Sequence, residues 1–170
     1  MICNAAVLTV SDKGAAGERE DVSGELLARL LEEHGAAAVR RLIVPDERRE
    51  IVAALRQLCQ SGADLILTTG GTGLAPRDVT PEATLEVVTR AVPGISEAIR
   101  AASLAETPRA MLSRGVSGIR GGTLIVNFPG SPAACEESFA VIEPVLAHAL
   151  EVLAGDASDC AAGKGQPADG

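Results

Sequence analysis

Asp12, Asp46 and Asp78 each follow closely on an apolar run of strand character. Beside Asp78 lies the least ordinary stretch of the chain, Thr68-Thr-Gly-Gly-Thr-Gly73, followed by Arg77-Asp78 and Thr80-Pro81. Gly70, Gly71 and Gly73 allow positive φ and let backbone N–H groups turn inward, a concavity that suits an anion. An acid next to such a cradle is electrostatically unfavourable alone. It becomes sensible with Mg²⁺ between them, because that ion typically takes one or two carboxylates together with substrate phosphates. Asp12, Asp46 and Asp78 are therefore candidate Mg²⁺-binding acids, although Asp46 also stands where an N-cap of the next helix would stand. Arg77 can clamp a phosphate or pair with a surface acid, and Ser113-Arg114-Gly115 brings a second arginine behind another short element. Neither standard nucleotide loop is present: GxxxxGK[ST] is absent, and GxGxxG from Gly71 fails at Pro76.

The elements that must position these residues alternate. Ala5–Val10, Val39–Val44, Leu65–Thr68 and Thr123–Phe128 read as buried strands, and Ala110–Ser113 as a short one. Helical periodicity covers Val22–His34, ended by Gly35, then Asp46–Gln60, Pro81–Thr89, Pro93–Leu104 and Pro132–Leu153, the last broken or kinked at Pro144. Ser11–Asp21 reads as a polar loop and Gly115–Gly122 as a loop or hairpin. Near-continuous apolar strands alternating with helices predict an α/β fold, a three-layer sandwich on a mostly parallel sheet. Ligands of such sheets bind beyond the carboxyl ends of the strands. There this sequence puts Ser11-Asp12, Pro45-Asp46, Thr69–Gly73, and Asn127, Pro129, Gly130 and Ser131. Thr80-Pro81 and Ser131-Pro132 both have the form of an N-cap followed by an N1 proline, and helix N-termini also attract anions.

Composition excludes several classes. With two Phe and no Tyr or Trp, the chain lacks the rings on which single-stranded bases stack. A net charge of −8 opposes broad binding to a phosphate backbone, so no nucleic-acid partner is expected. The 170 residues, 46% hydrophobic, suffice for one packed domain over 1–155 with an aliphatic core, and a Gly-, Ala- and Asp-rich tail over 156–170 is expected to be disordered. Cys3, Cys59, Cys135 and Cys160 form no CxxC pair; Cys59 and Cys135 fall in apolar helical patterns, and a reducing cytoplasm fits. No signal peptide or membrane span is expected. His34 and His148 have no partner pattern, and nothing resembles a nucleophilic triad.

Five stretches taken in order resemble one family: "SDKGAAGEREDVSG" (Ser11–Gly24), "VPDE" (Val44–Glu47), "TTGGTGLAPRDVTPEAT" (Thr68–Thr84), "PGISEAIR" (Pro93–Arg100) and "LSRGVSGIRGGTLIVNFPGSP" (Leu112–Pro132). The chain resembles the MogA/MoaB family of molybdenum-cofactor biosynthesis proteins, which includes the gephyrin G domain. The resemblance implies a trimeric α/β domain that adenylylates molybdopterin with MgATP, releases pyrophosphate and passes its product to a MoeA-type molybdate-insertion protein. It implies catalytic roles for Asp46 and Asp78, and a phosphate-facing loop at Thr69, Gly70, Gly71, Thr72 and Gly73. Ser11 and Asp12 would line the pocket, Ser113, Arg114 and Gly115 would face pterin or phosphate, and Asn127, Pro129, Gly130 and Ser131 would form the last loop. The alternative within the family is a MoaB-type carrier that binds molybdopterin without chemistry.

Overall fold

The computed structural model describes residues 4–155, and the expected tail lies outside them. The strands are β1 (Asn4–Val10), β2 (Ala38–Val44), β3 (Leu65–Thr69), β4 (Arg90–Ala91), β5 (Ser117–Arg120) and β6 (Thr123–Phe128). The helices are α1 (Asp12–Ala15), α2 (Val22–Glu33), α3 (Arg48–Gln60), α4 (Thr80–Val87), α5 (Pro93–Glu106) and α6 (Pro132–Ala154). They build one six-stranded sheet in the order β2-β1-β3-β6-β5-β4. β2, β1, β3 and β6 run parallel, while β5 is antiparallel to both β6 and β4.

Successive side chains of a strand point to opposite faces, and both faces here are covered. Val7, Leu65, Leu67, Leu124, Val126 and Phe128 pack with α2, α5 and α6 on one side. Ala6, Leu8, Val10, Ile66 and Ile125 pack with α3 and α4 on the other. The aliphatic core expected from composition is therefore two apolar layers about one sheet. Each fully buried Leu or Ile in them contributes roughly 1.5–3 kcal/mol.

The connection from β1 to β2 crosses by α2 on one face, and that from β2 to β3 crosses by α3 on the other. The chain thus diverges at β1 and β3, a switch point where α/β sheets open a crevice at their carboxyl edge. β1, β2, β3 and β6 all deliver their following loops there.

Several expectations are corrected. Residues 108–112 form a 3-10 turn, not a strand: Pro108 opens it and the Thr107 hydroxyl accepts the Arg109 N–H at 3.4 Å. Gly115–Gly122 holds β5, joined to β6 through Gly121 at φ +57° and Gly122, so the hairpin alternative is the one observed. α6 runs unbroken past Pro144. β4 lies between α4 and α5, too short to leave a periodic signature.

Candidate functional site

The carboxyl edge carries two adjoining cavities. One of about 640 Å³ is lined by Ser11, Asp21, Asp46 and Thr69 among others. One of about 460 Å³ is lined by Thr72, Arg100, Ser113 and Pro129 among others. Gly71, Asp78 and Gly130 line both, so the glycine loop forms the wall between two chambers.

The loop is built to turn its carbonyls away from them. The Thr80 hydroxyl donates to Gly70 O at 2.9 Å, and the Thr80 N–H to Gly71 O at 3.1 Å. The Arg114 N–H donates to Thr72 O at 2.9 Å, and Arg114 Nε to Gly73 O at 2.7 Å. Four successive carbonyls are held by the protein body. Among the described residues, the N–H groups of Gly71, Thr72 and Gly73 donate to no protein acceptor. Adjacent backbone donors left without a protein acceptor are an arrangement able to receive an anion. Glycine is required at the turn: Gly70 sits at φ +96° with Val10 O where a Cβ would lie, and Gly71 at φ +64° with Thr80 Oγ1 in the corresponding place.

The acids are arranged just as specifically. Asp46 does not cap α3; that position belongs to Glu47, which makes no side-chain cap bond. Instead Asp46 Oδ2 accepts the Asp12 N–H at 2.8 Å, and Asp12 Oδ1 accepts the Asp46 N–H at 3.0 Å. The Arg77 guanidinium closes on Asp12 at 2.7 and 2.8 Å and on Glu47 at 3.0 Å. The Arg77 bond, aided by the Asp46 N–H, holds the Asp12 carboxyl below the ordinary aspartate range. Burial pushes Asp46 above it, against the pull of the Asp12 N–H and with repulsion from Asp12 and Asp78 adding to the rise. Asp46 Oδ1 lies close to Gly71, 3.3 Å from where a Cβ would stand. Asp78 is set in a tight turn, its Oδ2 accepting the Ala75 N–H at 2.9 Å.

Asp46 and Asp78 thus face one cavity from either side of the glycine loop, each with one oxygen held by a backbone N–H. No cluster of three or more metal-binding side chains occurs among the described residues. Two carboxylates without a third protein ligand fit Mg²⁺, an ion that keeps waters and takes substrate phosphate oxygens.

The remaining residues singled out from the sequence divide in two. Ser11 caps α1, accepting the Gly14 N–H at 3.1 Å, and lines the larger cavity. Ser113, Pro129 and Gly130 line the smaller one. Thr69 Oγ1 donates to Pro129 O at 2.7 Å beneath the last loop, joined there by the Cys135 thiol at 3.1 Å; burial pushes that thiol's pKa up. Ser131 caps α6 through the Ala134 N–H. Thr80 caps nothing: Val79 is the N-cap residue of α4, and Thr80 is fully buried. Gly115 offers its carbonyl to Arg100 Nη1 at 2.7 Å. Asn127 is not a cavity residue. It is 3% exposed, and its amide donates to Thr68 and Thr84 hydroxyls, both at 2.9 Å, joining β6 to β3 and α4.

Asp21 and Ser23 escaped the sequence reading. Asp21 caps α2 through the Gly24 N–H at 2.9 Å, accepts the Thr9 hydroxyl and walls the larger cavity. Ser23 Oγ donates to Gly130 O at 2.8 Å, tying α2 to the last loop. The available signal was Asp21 ahead of the apolar stripe of α2, an N-cap pattern that starts the helix one residue later.

Known proteins share this arrangement of sequence and fold. The family described as "Probable molybdopterin binding domain" matches residues 6–148. A molybdopterin adenylyltransferase of Helicobacter pylori (strain J99) is 39% identical over 88% of this chain and 87% of its own length. A molybdenum cofactor biosynthesis bifunctional protein of Synechococcus elongatus is 42% identical over 89% of this chain, which spans about half (47%) of that relative. The crystal structure of the molybdopterin biosynthesis enzyme MoaB from Thermus thermophilus superposes with a TM-score of 0.83 at 49% identity, covering 91% of this chain and 98% of that one. The family match over most of the chain and this extent of similarity agree: the chain belongs to the MogA/MoaB family of molybdopterin-binding, molybdenum-cofactor biosynthesis proteins.

Proposed function

We propose that this protein is a molybdopterin adenylyltransferase acting with ATP and Mg²⁺. The observation that carries the reading is the glycine loop between two chambers, its carbonyls bound and its amides open, with Asp46 and Asp78 beside it. Two anionic substrates entering from opposite chambers would meet with their phosphates on that loop. An oxygen of the molybdopterin phosphate attacks the α-phosphorus of ATP. The bond from that phosphorus to the bridging oxygen of the β-phosphate breaks, and pyrophosphate leaves with the electron pair. The nucleophile is already anionic, so no general base is needed. Alignment and charge neutralisation are the main demands of such a transfer. Asp46 and Asp78 would hold Mg²⁺, which would supply neutralisation of the phosphate charge. The loop amides orient phosphate oxygens, and Ser11 and Ser113 border the two chambers. The reading includes a homotrimer and a hand-over of product to a MoeA-type insertion protein.

The reading is tested by supplying molybdopterin, ATP and Mg²⁺ without oxygen and following pyrophosphate. Release that requires both substrates is the expected result. Molybdopterin binding without release would replace this reading with the MoaB-type carrier.

A further inference from the structure

Arg114 looks from its neighbours in the sequence like a phosphate clamp, but its donors are engaged by the protein. Its N–H holds Thr72 O at 2.9 Å and its Nε holds Gly73 O at 2.7 Å. Nη2 donates to Asp78 O, and Nη1 to Glu82 Oε1. One residue, 41 positions along the chain from Gly73, therefore grips both ends of the segment that carries the cradle and the acid. Glu82, in the first turn of α4, orients the guanidinium. Burial pushes the Glu82 carboxyl up, but the Arg114 bond with smaller contributions outweighs it, and the net shift is downward. Its second oxygen is buried and has no partner among the described residues, so Glu82 depends on Arg114 for compensation. Neither Arg114 nor Glu82 lines the two chambers.

Resting on the adenylyl-transfer reading, we infer that Arg114, oriented by Glu82, is a positioning residue that fixes the glycine loop and Asp78 for catalysis and does not itself hold phosphate. A guanidinium is a planar fork of fixed donors, and three acceptors in three directions fit it. An ammonium cannot serve all three at once. Small misplacement of a positioned group costs up to about 100-fold in rate.

The test compares the wild-type protein with Arg114→Lys, Glu82→Ala and the double variant, in kinetics and in amide hydrogen exchange of the free protein. Arg114→Lys is expected to lower kcat by about 10- to 100-fold with KM for ATP changed by less than about 3-fold. Exchange should rise over residues 75–80 and 113–115, whose N–H groups report attachment of the loop, and stay unchanged over β1 and β3. Glu82→Ala should lower kcat by a smaller factor. The double variant should lose no more than Arg114→Lys alone, because the two act as one unit. A rise in KM with kcat retained would overturn the inference in favour of direct phosphate contact. Unchanged exchange, or fully additive losses, would overturn it as well. Should Arg114→Lys fail to fold, Glu82→Ala decides by the same kcat and exchange criteria. A wild-type protein that releases no pyrophosphate would refute the adenylyl-transfer reading separately, while the exchange data still judge Arg114.

Discussion

Asp12 and Asp46 clasp each other reciprocally, the N–H of each donating to the carboxylate of the other at 2.8 and 3.0 Å. This joins the loops after β1 and β2. It also gives the two acids opposite electrostatic settings, since Asp12 is held down by Arg77 and Asp46 is pushed up by burial. An acid whose ionised form is disfavoured by its protein surroundings is well placed to gain from a cation that substrate brings.

The sign of that effect is testable in Asp46→Asn. A carboxyl whose folded pKa lies above the unfolded value of about 3.9 contributes stability below that value and loses it as pH rises through the folded pKa. At neutral pH the ionised Asp46 therefore opposes folding. Asparagine keeps an acceptor for the Asp12 N–H, so the melting temperature at pH 7 should be equal or higher. Adenylyl transfer should fall by about 100-fold or more, the scale of removing one preorganised electrostatic contact. A variant both less stable and fully active would contradict both parts. Calorimetry and a pyrophosphate assay on the same sample decide it.

The wild-type acid limb should report the same group. Activity should fall as pH drops through an apparent pKa above the ordinary aspartate range, because protonated Asp46 cannot hold Mg²⁺. The kcat/KM profile measures it. An acid limb unchanged in Asp46→Asn would contradict that role.

Arg77→Met tests the latch over Asp12. The Asp12 pKa is lowered, so its contribution to stability is present above the unfolded value and disappears as pH falls through the lowered one. Without Arg77, the Asp12 carboxyl resonance should titrate at higher pH. Any stability difference between the two proteins should be largest near neutrality and vanish at strongly acid pH. The pair is exposed, so raised salt should shrink the difference.

Glycine substitutions separate the cradle from ordinary turns. Gly71→Ala meets both a positive φ and the Thr80 hydroxyl, and should lower activity by about 100-fold while distorting the loop. Gly94→Ala, in the first turn of α5 with nothing within 4 Å of a new Cβ, should be neutral or stabilising by about 0.4–1 kcal/mol. Thermal melts and rates of both variants test the contrast. Equal activity in Gly71→Ala would show that the amides of this loop are not what holds the phosphate.

Much of the fold was legible because both faces of the central strands are buried, which leaves unmistakable apolar runs such as Thr123–Phe128, and because the longer helices carry a stripe; α1, without a buried residue, lies in the stretch that read as a polar loop. What was not legible depends on partners distant in sequence. Asp46 has the local form of a cap, and only the clasp with Asp12, 34 positions away, shows otherwise. Thr80-Pro81 has the form of a cap as well, yet the hydroxyl of Thr80 is drawn to Gly70 O. Asn127 looked like a loop residue after a strand, whereas it is the last polar residue inside β6. Arg114 showed its charge in the sequence but not its acceptors. Residues 108–112 lacked strand partners, and the proline at their start set a 3-10 turn.

The most direct measurement is transfer of label from α-labelled ATP to molybdopterin under anaerobic conditions with Mg²⁺, wild type beside Asp78→Asn. Labelled pterin from the wild type, with a loss of at least about 100-fold in the variant and molybdopterin affinity little changed, is the predicted result. Equal labelling by both proteins would contradict the assignment of Asp78. No labelling by the wild type, with molybdopterin still bound, would contradict adenylyl transfer itself.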